Sequence, residues 1–284
     1  MSPIGANTWI WCSPLTDERL AELAPKVRGL GFDAIELPVE NPGDWDPGRA
    51  AELLGEHGLA VTLCAAMPPG RDLLSDEAAV ASTQKFLRNC IDVAVRIGSP
   101  AVGGPMYSAV GRTWRLEDGE RKATIARLAE ALRPVADYAG EHGVRLALEP
   151  LNRYETSLVN TAEQGLEVVD AVDSPALGLL LDTYHMNIEE KSPADAIRAA
   201  GSKLVHVHAS AADRGAPGAD HIDWPAIASA LRDVAYDGVL CIEAFTFESE
   251  AVAVSAHIWR RVAQTQDALA RDGLEFLRTL RIEP

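Results

Sequence analysis

Four residues able to bind a metal stand at the ends of short apolar runs in the second half of the chain: Glu149 in RLALEP, Asp182 in LLLDTYH, His208 in LVHVHAS and Glu243 in LCIEAF. Side chains of a strand alternate between two faces. In the first run Leu146 and Leu148 share one face, and Ala147 and Glu149 share the other. The same count groups Leu180 with Asp182, His206 with His208, and Cys241 with Glu243, opposite Leu179, Leu181, Val205, Val207, Leu240 and Ile242. Three carboxylates converging on one point repel one another, and a divalent cation removes most of that charge. Three hard oxygen donors with one imidazole suit Mn2+, with Mg2+ and Co2+ as alternatives, better than a thiolate-loving ion. The plainer reading is four unconnected residues at strand ends.

The elements that would position these residues recur along the whole chain. Eight β-rich runs lie near 4–11, 33–39, 59–66, 100–106, 145–150, 177–185, 204–210 and 238–245. Between them lie stretches with the 3.6-residue period of amphipathic helices, such as TDERLAELAPKVRGLG and RKATIARLAEALRPVADYAGEHG. Several close on glycine (GLGF, GEHGL, GEHGV), which adopts the left-handed cap most easily. Strands separated by helices pair in parallel, and eight such units in one chain suit an α/β fold of the (β/α)8 TIM-barrel type. An open doubly wound sheet is the weaker alternative, because no glycine fingerprint follows the first strand. No composition break divides the chain, so residues 1–284 are expected to form one domain. The segment after Phe245 reads as one or two closing helices, an extra C-terminal helix beyond the repeat. In a parallel barrel, functional groups gather at the carboxyl ends of the strands, where the four candidates fall.

With those motifs in place, the chain resembles the D-tagatose/D-psicose (allulose) 3-epimerase family of the xylose isomerase-like barrel superfamily. The segments EPLNRYE (149–155), LDTYHMNIEE (181–190), HVHASAADR (206–214) and YDGVLCIEAF (236–245) carry the resemblance, with GFDAIEL (31–37) and the pair Asp223 and Trp224 in support. The resemblance implies a metal-dependent isomerase that epimerises a free ketose through an enediolate. It places the metal on Glu149, Asp182, His208 and Glu243, makes Glu149 and Glu243 the acid/base pair, and gives substrate binding to Glu155, His185 and Arg214. It also implies a small-molecule sugar as partner and a homodimer or homotetramer. Two segments depart from the family pattern, both bearing on substrate recognition. Ser210–Asp213 replaces Gly-Glu-Ala-Asn, and GPMYSAVGRTW (104–114) follows the fourth strand. They leave room for a C-glycoside deglycosidase large subunit, a lyase needing a small partner subunit, or for an inosose or hydroxypyruvate isomerase. A non-enzymatic sugar-binding barrel is a third class.

Composition excludes other classes. Of 284 residues 47% are hydrophobic and 24% charged, enough for a large core. The net charge is −16 with no basic stripe, which argues against nucleic acid as a partner. No apolar run approaches a membrane span, and the first residues lack the basic-then-apolar pattern of a secretory signal, so a cytoplasmic location is expected. Cys12, Cys64, Cys90 and Cys241 are far apart and are expected reduced. No GxSxG elbow or GxxxxGK[ST] loop occurs. His206 is expected to be a hydrogen-bonded residue below His208, His57 and His142 to sit at helix ends, and His221 to lie in a loop over the barrel mouth. Trp11 and Trp114 follow strands one and four and could form an aromatic wall for a sugar ring or simply pack.

Overall fold

The computed structural model describes residues 2–282. Eight parallel strands close into a barrel in sequence order: β1 (Ile4–Asn7), β2 (Ala34–Val39), β3 (Ala60–Ala65), β4 (Ala101–Gly104), β5 (Arg145–Leu148), β6 (Leu177–Asp182), β7 (Leu204–His208) and β8 (Leu240–Ile242). Each lies within a run expected from the sequence. The helices are α1 (Asp17–Leu30), α2 (Pro47–His57), α3 (Glu77–Ile97), α4 (Asp118–Glu141), α5 (Ala162–Val172), α6 (Thr183–Glu189), α7 (Pro193–Ala200), α8 (Trp224–Asp233), α9 (Glu250–Ser255) and α10 (Gln266–Thr279). The short α6 and α9 are additions at the carboxyl end of the barrel, and α10 packs on β1 and β8 to complete the outer ring.

Local chemistry explains the boundaries. Thr16, Asp46, Asp76 and Thr161 accept from backbone N–H groups in the first turns of α1, α2, α3 and α5. Gly31 (φ +102°) and Gly58 (φ +61°) close α1 and α2 in the left-handed conformation. At the end of α4 that conformation falls one residue later, on Gly143, after His142.

Burial follows the alternation. A Cβ on Gly165 of α5 would stand 2.8 Å from Leu179 Cδ2, and one on Gly273 of α10 would stand 2.9 Å from Ile242 Cδ1, so Leu179 and Ile242 face the helices. Inside, a Cβ on Gly103 would stand 2.6 Å from Leu180 Cδ1, so Leu180 fills the space beside β4. The register sets Asp182 beside His208 and His208 beside Cys241, which brings the ends of β6, β7 and β8 level. All four cysteines are free and buried. No helix among the described residues is long and apolar enough to cross a membrane.

Candidate active site

Glu149 is the first residue past β5, and its position is fixed from the neighbouring strand. Its backbone N–H donates to the Gly104 carbonyl (3.1 Å), and Gly104 has φ +128° with the Ala65 carbonyl 2.7 Å from where a Cβ would sit. Only glycine takes that conformation and that approach without strain. Asp182 ends β6 and divides its carboxylate. Oδ1 accepts from Tyr184 N (2.8 Å) to cap α6, while Oδ2 turns inward to Arg214. His208 ends β7, and Glu243 is the first residue past β8.

These side chains converge. Each of Glu149, Asp182, His208 and Glu243 offers a ligand atom within 4.8 Å of the others, and all four are buried. His208 Nδ1 lies 3.3 Å from a Glu243 oxygen and 3.7 Å from a Glu149 oxygen, yet it is buried with no hydrogen-bond partner. A buried nitrogen left bare among carboxylates is costly unless something else satisfies it. The site therefore fits a divalent cation, both in its donor set and in this open position.

A second group with metal-ligand spacing, Glu36, His206 and Cys241, lies one layer deeper. Its carboxylate is already occupied. Glu36 accepts from Asn7 Nδ2 (2.9 Å) and Thr62 Oγ1 (2.9 Å), and pairs with His206 Nε2 and His208 Nε2 (2.8 Å each). Hydrogen bonds fill this cluster, in contrast to the quartet above it. His206 is thus the hydrogen-bonded histidine expected.

The three remaining residues singled out in the sequence also meet here. Arg214 Nη1 donates to Asp182 Oδ2 (2.7 Å), Glu243 Oε2 (2.8 Å) and Ser210 Oγ (3.1 Å). Its guanidinium lies 4.0 Å from the centre of the Tyr184 ring and 5.0 Å from that of Phe245. Its backbone has φ +63°, uncommon for a residue with a side chain and a frequent mark of functional sites. Ser210, in the segment that departs from the family pattern, is one of the groups holding it. His185 Nδ1 accepts from Asn152 N (3.0 Å), a shorter donor contact than the 3.3 Å approach of Arg214 Nη2 to Nε2, so the neutral imidazole is assigned its proton on Nε2. That nitrogen lies 3.7 Å from Asp182 and 3.8 Å from Glu149. Asn152 also donates to Glu155 Oε1 (2.7 Å), so one residue steadies both.

The electrostatics separate the two glutamates. Burial lifts Glu149 to about 8, against the opposing pull of His208. Burial acts on Glu243 too, but the charges of His208 and Arg214 outweigh it and bring it down to about 2. Burial would strip His208 of its proton, yet Glu243 and Glu36 hold it well above the usual histidine range. Burial, helped by the charges of Arg214 and His208 and opposed by Asp182, takes His185 down to about 3, so this imidazole is neutral. Two carboxylates with divergent proton affinities beside one pocket are the arrangement that acid/base chemistry uses.

All but Asp182 of these seven residues line a cavity of about 600 Å3 at the carboxyl end of the barrel, large enough for a monosaccharide. Its aromatic lining is Trp9, Tyr154 and Phe245. Trp11 instead donates to Asp267 (2.7 Å), and Trp114 stacks on Arg112, so the tryptophans singled out in the sequence pack elsewhere. His221 is exposed and does not line the cavity. From the divergent loop, Gly104, Pro105, Val110 and Gly111 do. The sequence reading missed Glu36, Asn152 and Trp9. Glu36 carried a signal, since a carboxylate amid an apolar strand must find partners when buried.

The profile of the family described as xylose isomerase-like TIM barrel matches residues 25–280. A probable ketose 3-epimerase of Synechocystis sp. is 37% identical over 277 residues, covering 96% of this chain and 95% of that protein. An L-ribulose 3-epimerase of Methylomonas sp. is 31% identical, covering 96% of each. Among solved structures, an L-ribulose 3-epimerase superposes with a TM-score of 0.92 at 33% identity, covering 99% of this chain and 94% of the other.

Proposed function

The chain belongs to the xylose isomerase-like TIM barrel family, and from that premise we propose that it is a metal-dependent ketose 3-epimerase acting on a free ketohexose or ketopentose. The observation that carries this reading is the pair Glu149 and Glu243 beside the bare His208 Nδ1, 3.7 and 3.3 Å from it, in the lining of a sugar-sized cavity. Relatives named as ketose and L-ribulose 3-epimerases, covering nearly the whole chain, favour it over the lyase and over a binding protein without chemistry.

Glu149, Asp182, His208 and Glu243 would hold the cation. Mn2+ is the first candidate, and when bound it supplies a Lewis acid that stabilises negative charge developing beside the carbonyl. One glutamate, ionised, takes the proton from C3, and the other, which takes up a proton as the ketose binds, delivers it to the opposite face, which inverts the centre and leaves the pair with one proton between them. The reaction is reversible, so each carboxylate serves as acid in one direction and base in the other. His185 offers its Nε2–H to a substrate oxygen. Its lack of charge lets it donate without drawing a proton from the glutamates. Arg214, already pinned by Asp182 and Glu243, presents its remaining N–H groups to the same end of the sugar. Glu155, raised by burial, binds or steadies a hydroxyl beyond it. Trp9 and Phe245, with ring centres 5.6 Å apart, offer an apolar wall for the sugar's C–H face. A homodimer or homotetramer is the assembly we expect.

Incubation with Mn2+ and D-fructose, D-tagatose or L-ribulose in heavy water tests the reading. Deuterium should appear at C3 of substrate and product, with the C3 epimer accumulating. Fully loaded protein that exchanges no ketose at C3 would refute it.

A further inference from the structure

We propose that Glu36 is a positioning residue for the metal centre: its carboxylate, held on three sides inside the barrel, takes the hydrogen bond of His208 Nε2 and thereby presents His208 Nδ1 as the ligand atom. The inference rests on the reading that the quartet above it holds a divalent cation.

An imidazole on a strand end can turn about its terminal torsion, which has broad and roughly two-fold preferences. Either nitrogen of His208 could therefore face the site, and the ring needs an anchor behind it. Glu36 supplies that anchor from the middle of β2. It is fully buried, and its two oxygens have separate sets of partners. Oε1 meets Asn7 Nδ2 and His208 Nε2, while Oε2 meets Thr62 Oγ1 and His206 Nε2. Four donors saturate one carboxylate, so Glu36 has no freedom to swing and no lone pair left for an ion of its own. β1, β2, β3 and β7 each contribute to this cluster. The N-terminal half of the barrel, which supplies none of the proposed ligands, thus acts on His208 through this carboxylate, as it acts on Glu149 through the Gly104 carbonyl. A carboxylate behind a ligating histidine fixes its ring and makes the ligand nitrogen a better donor.

Glu36→Gln keeps the volume and removes the charge and one acceptor. Mn2+ binding, followed by the electron paramagnetic resonance signal of the free ion, should weaken by about ten- to a hundredfold. Nitrogen-15 spectra of the Mg2+-loaded protein supply a readout that loss of packing alone would not move. Wild-type His208 should show an unprotonated Nδ1 and a protonated Nε2, and Glu36→Gln should show both tautomers. Thr62→Val, which keeps shape and removes one bond to the oxygen away from His208, should weaken Mn2+ binding about threefold. It decides the matter if Glu36→Gln fails to fold. An unchanged affinity together with unchanged His208 shifts overturns the inference, as does ligation through Nε2 or a second Mn2+ on Glu36, His206 and Cys241. A wild-type chain that binds no Mn2+ overturns the metal reading beneath it. A wild-type chain and a Glu36→Gln chain that bind alike overturn this inference alone.

Discussion

Loading the metal-free protein with Mn2+ at neutral pH should expel close to two protons. Without a cation, three buried carboxylates around one imidazole can coexist only if protons replace the missing positive charge. Electrostatics put them on two groups: burial lifts Glu149 to about 8, so roughly nine-tenths of it is protonated at pH 7, and His208 is held well above its usual range by Glu243 and Glu36. Both groups must give up a proton to become ligands. Two protons leave as a doubly charged ion enters, and the buried charge is conserved. Below about pH 7 the affinity should therefore rise nearly a hundredfold per pH unit, and the slope should fall toward tenfold once Glu149 has titrated. Calorimetric titration with Mn2+ in two buffers of different ionisation enthalpy counts the protons directly. A heat independent of the buffer, with an affinity flat between pH 6 and 7.5, would refute the argument.

The same groups shape stability in the metal-free protein. Glu149 has a folded-state pKa above its unfolded value, so the folded chain binds the extra proton and stability falls as pH rises from about 4.5 to 8, by a few kcal/mol. His208 is raised as well, so its contribution is complete below about 6.5 and is lost at higher pH. Glu243 and Glu36 are lowered, so theirs is present above about 4.5 and is lost at lower pH, for Glu243 as pH falls toward 2. Thermal melts of metal-free protein should peak in weakly acidic buffer, and Mn2+ should flatten the alkaline side. Glu149→Gln and Glu243→Gln should each lower kcat by about 10^2- to 10^4-fold in steady-state assays while the far-ultraviolet dichroism stays unchanged. Gly104→Ala places a Cβ 2.7 Å from the Ala65 carbonyl at φ +128°, and denaturant titration should show a loss of about 1–3 kcal/mol together with a drop in activity, because Glu149 is hung on the Gly104 carbonyl.

Much of this was legible before any coordinates. The β-rich runs predict each strand because buried parallel strands need continuous apolar residues, and alternation alone puts Glu149, Asp182, His208 and Glu243 on the inner face. What alternation does not carry is which inner residues of distant strands share a height in the barrel. Glu36 meets His208 across 172 positions, a juxtaposition set by the tilt of the strands around the closed barrel and by no spacing along the chain. The aromatic wall shows the same limit at closer range. Trp9 and Trp11 are two residues apart, but the short 3₁₀ turn at Thr8–Ile10 sends Trp9 to the cavity and Trp11 to Asp267. The positive φ of Arg214 is equally local and equally silent in the sequence, since nothing about an arginine announces it.

The most direct test of the account is a crystal of the Mn2+-loaded protein with a bound ketose, with the ion located by its anomalous scattering. One ion should be bonded at about 2.0–2.3 Å to Glu149, Asp182, His208 Nδ1 and Glu243, with the two glutamates facing opposite sides of C3. An ion placed elsewhere, or both glutamates on the same side of that carbon, would contradict it.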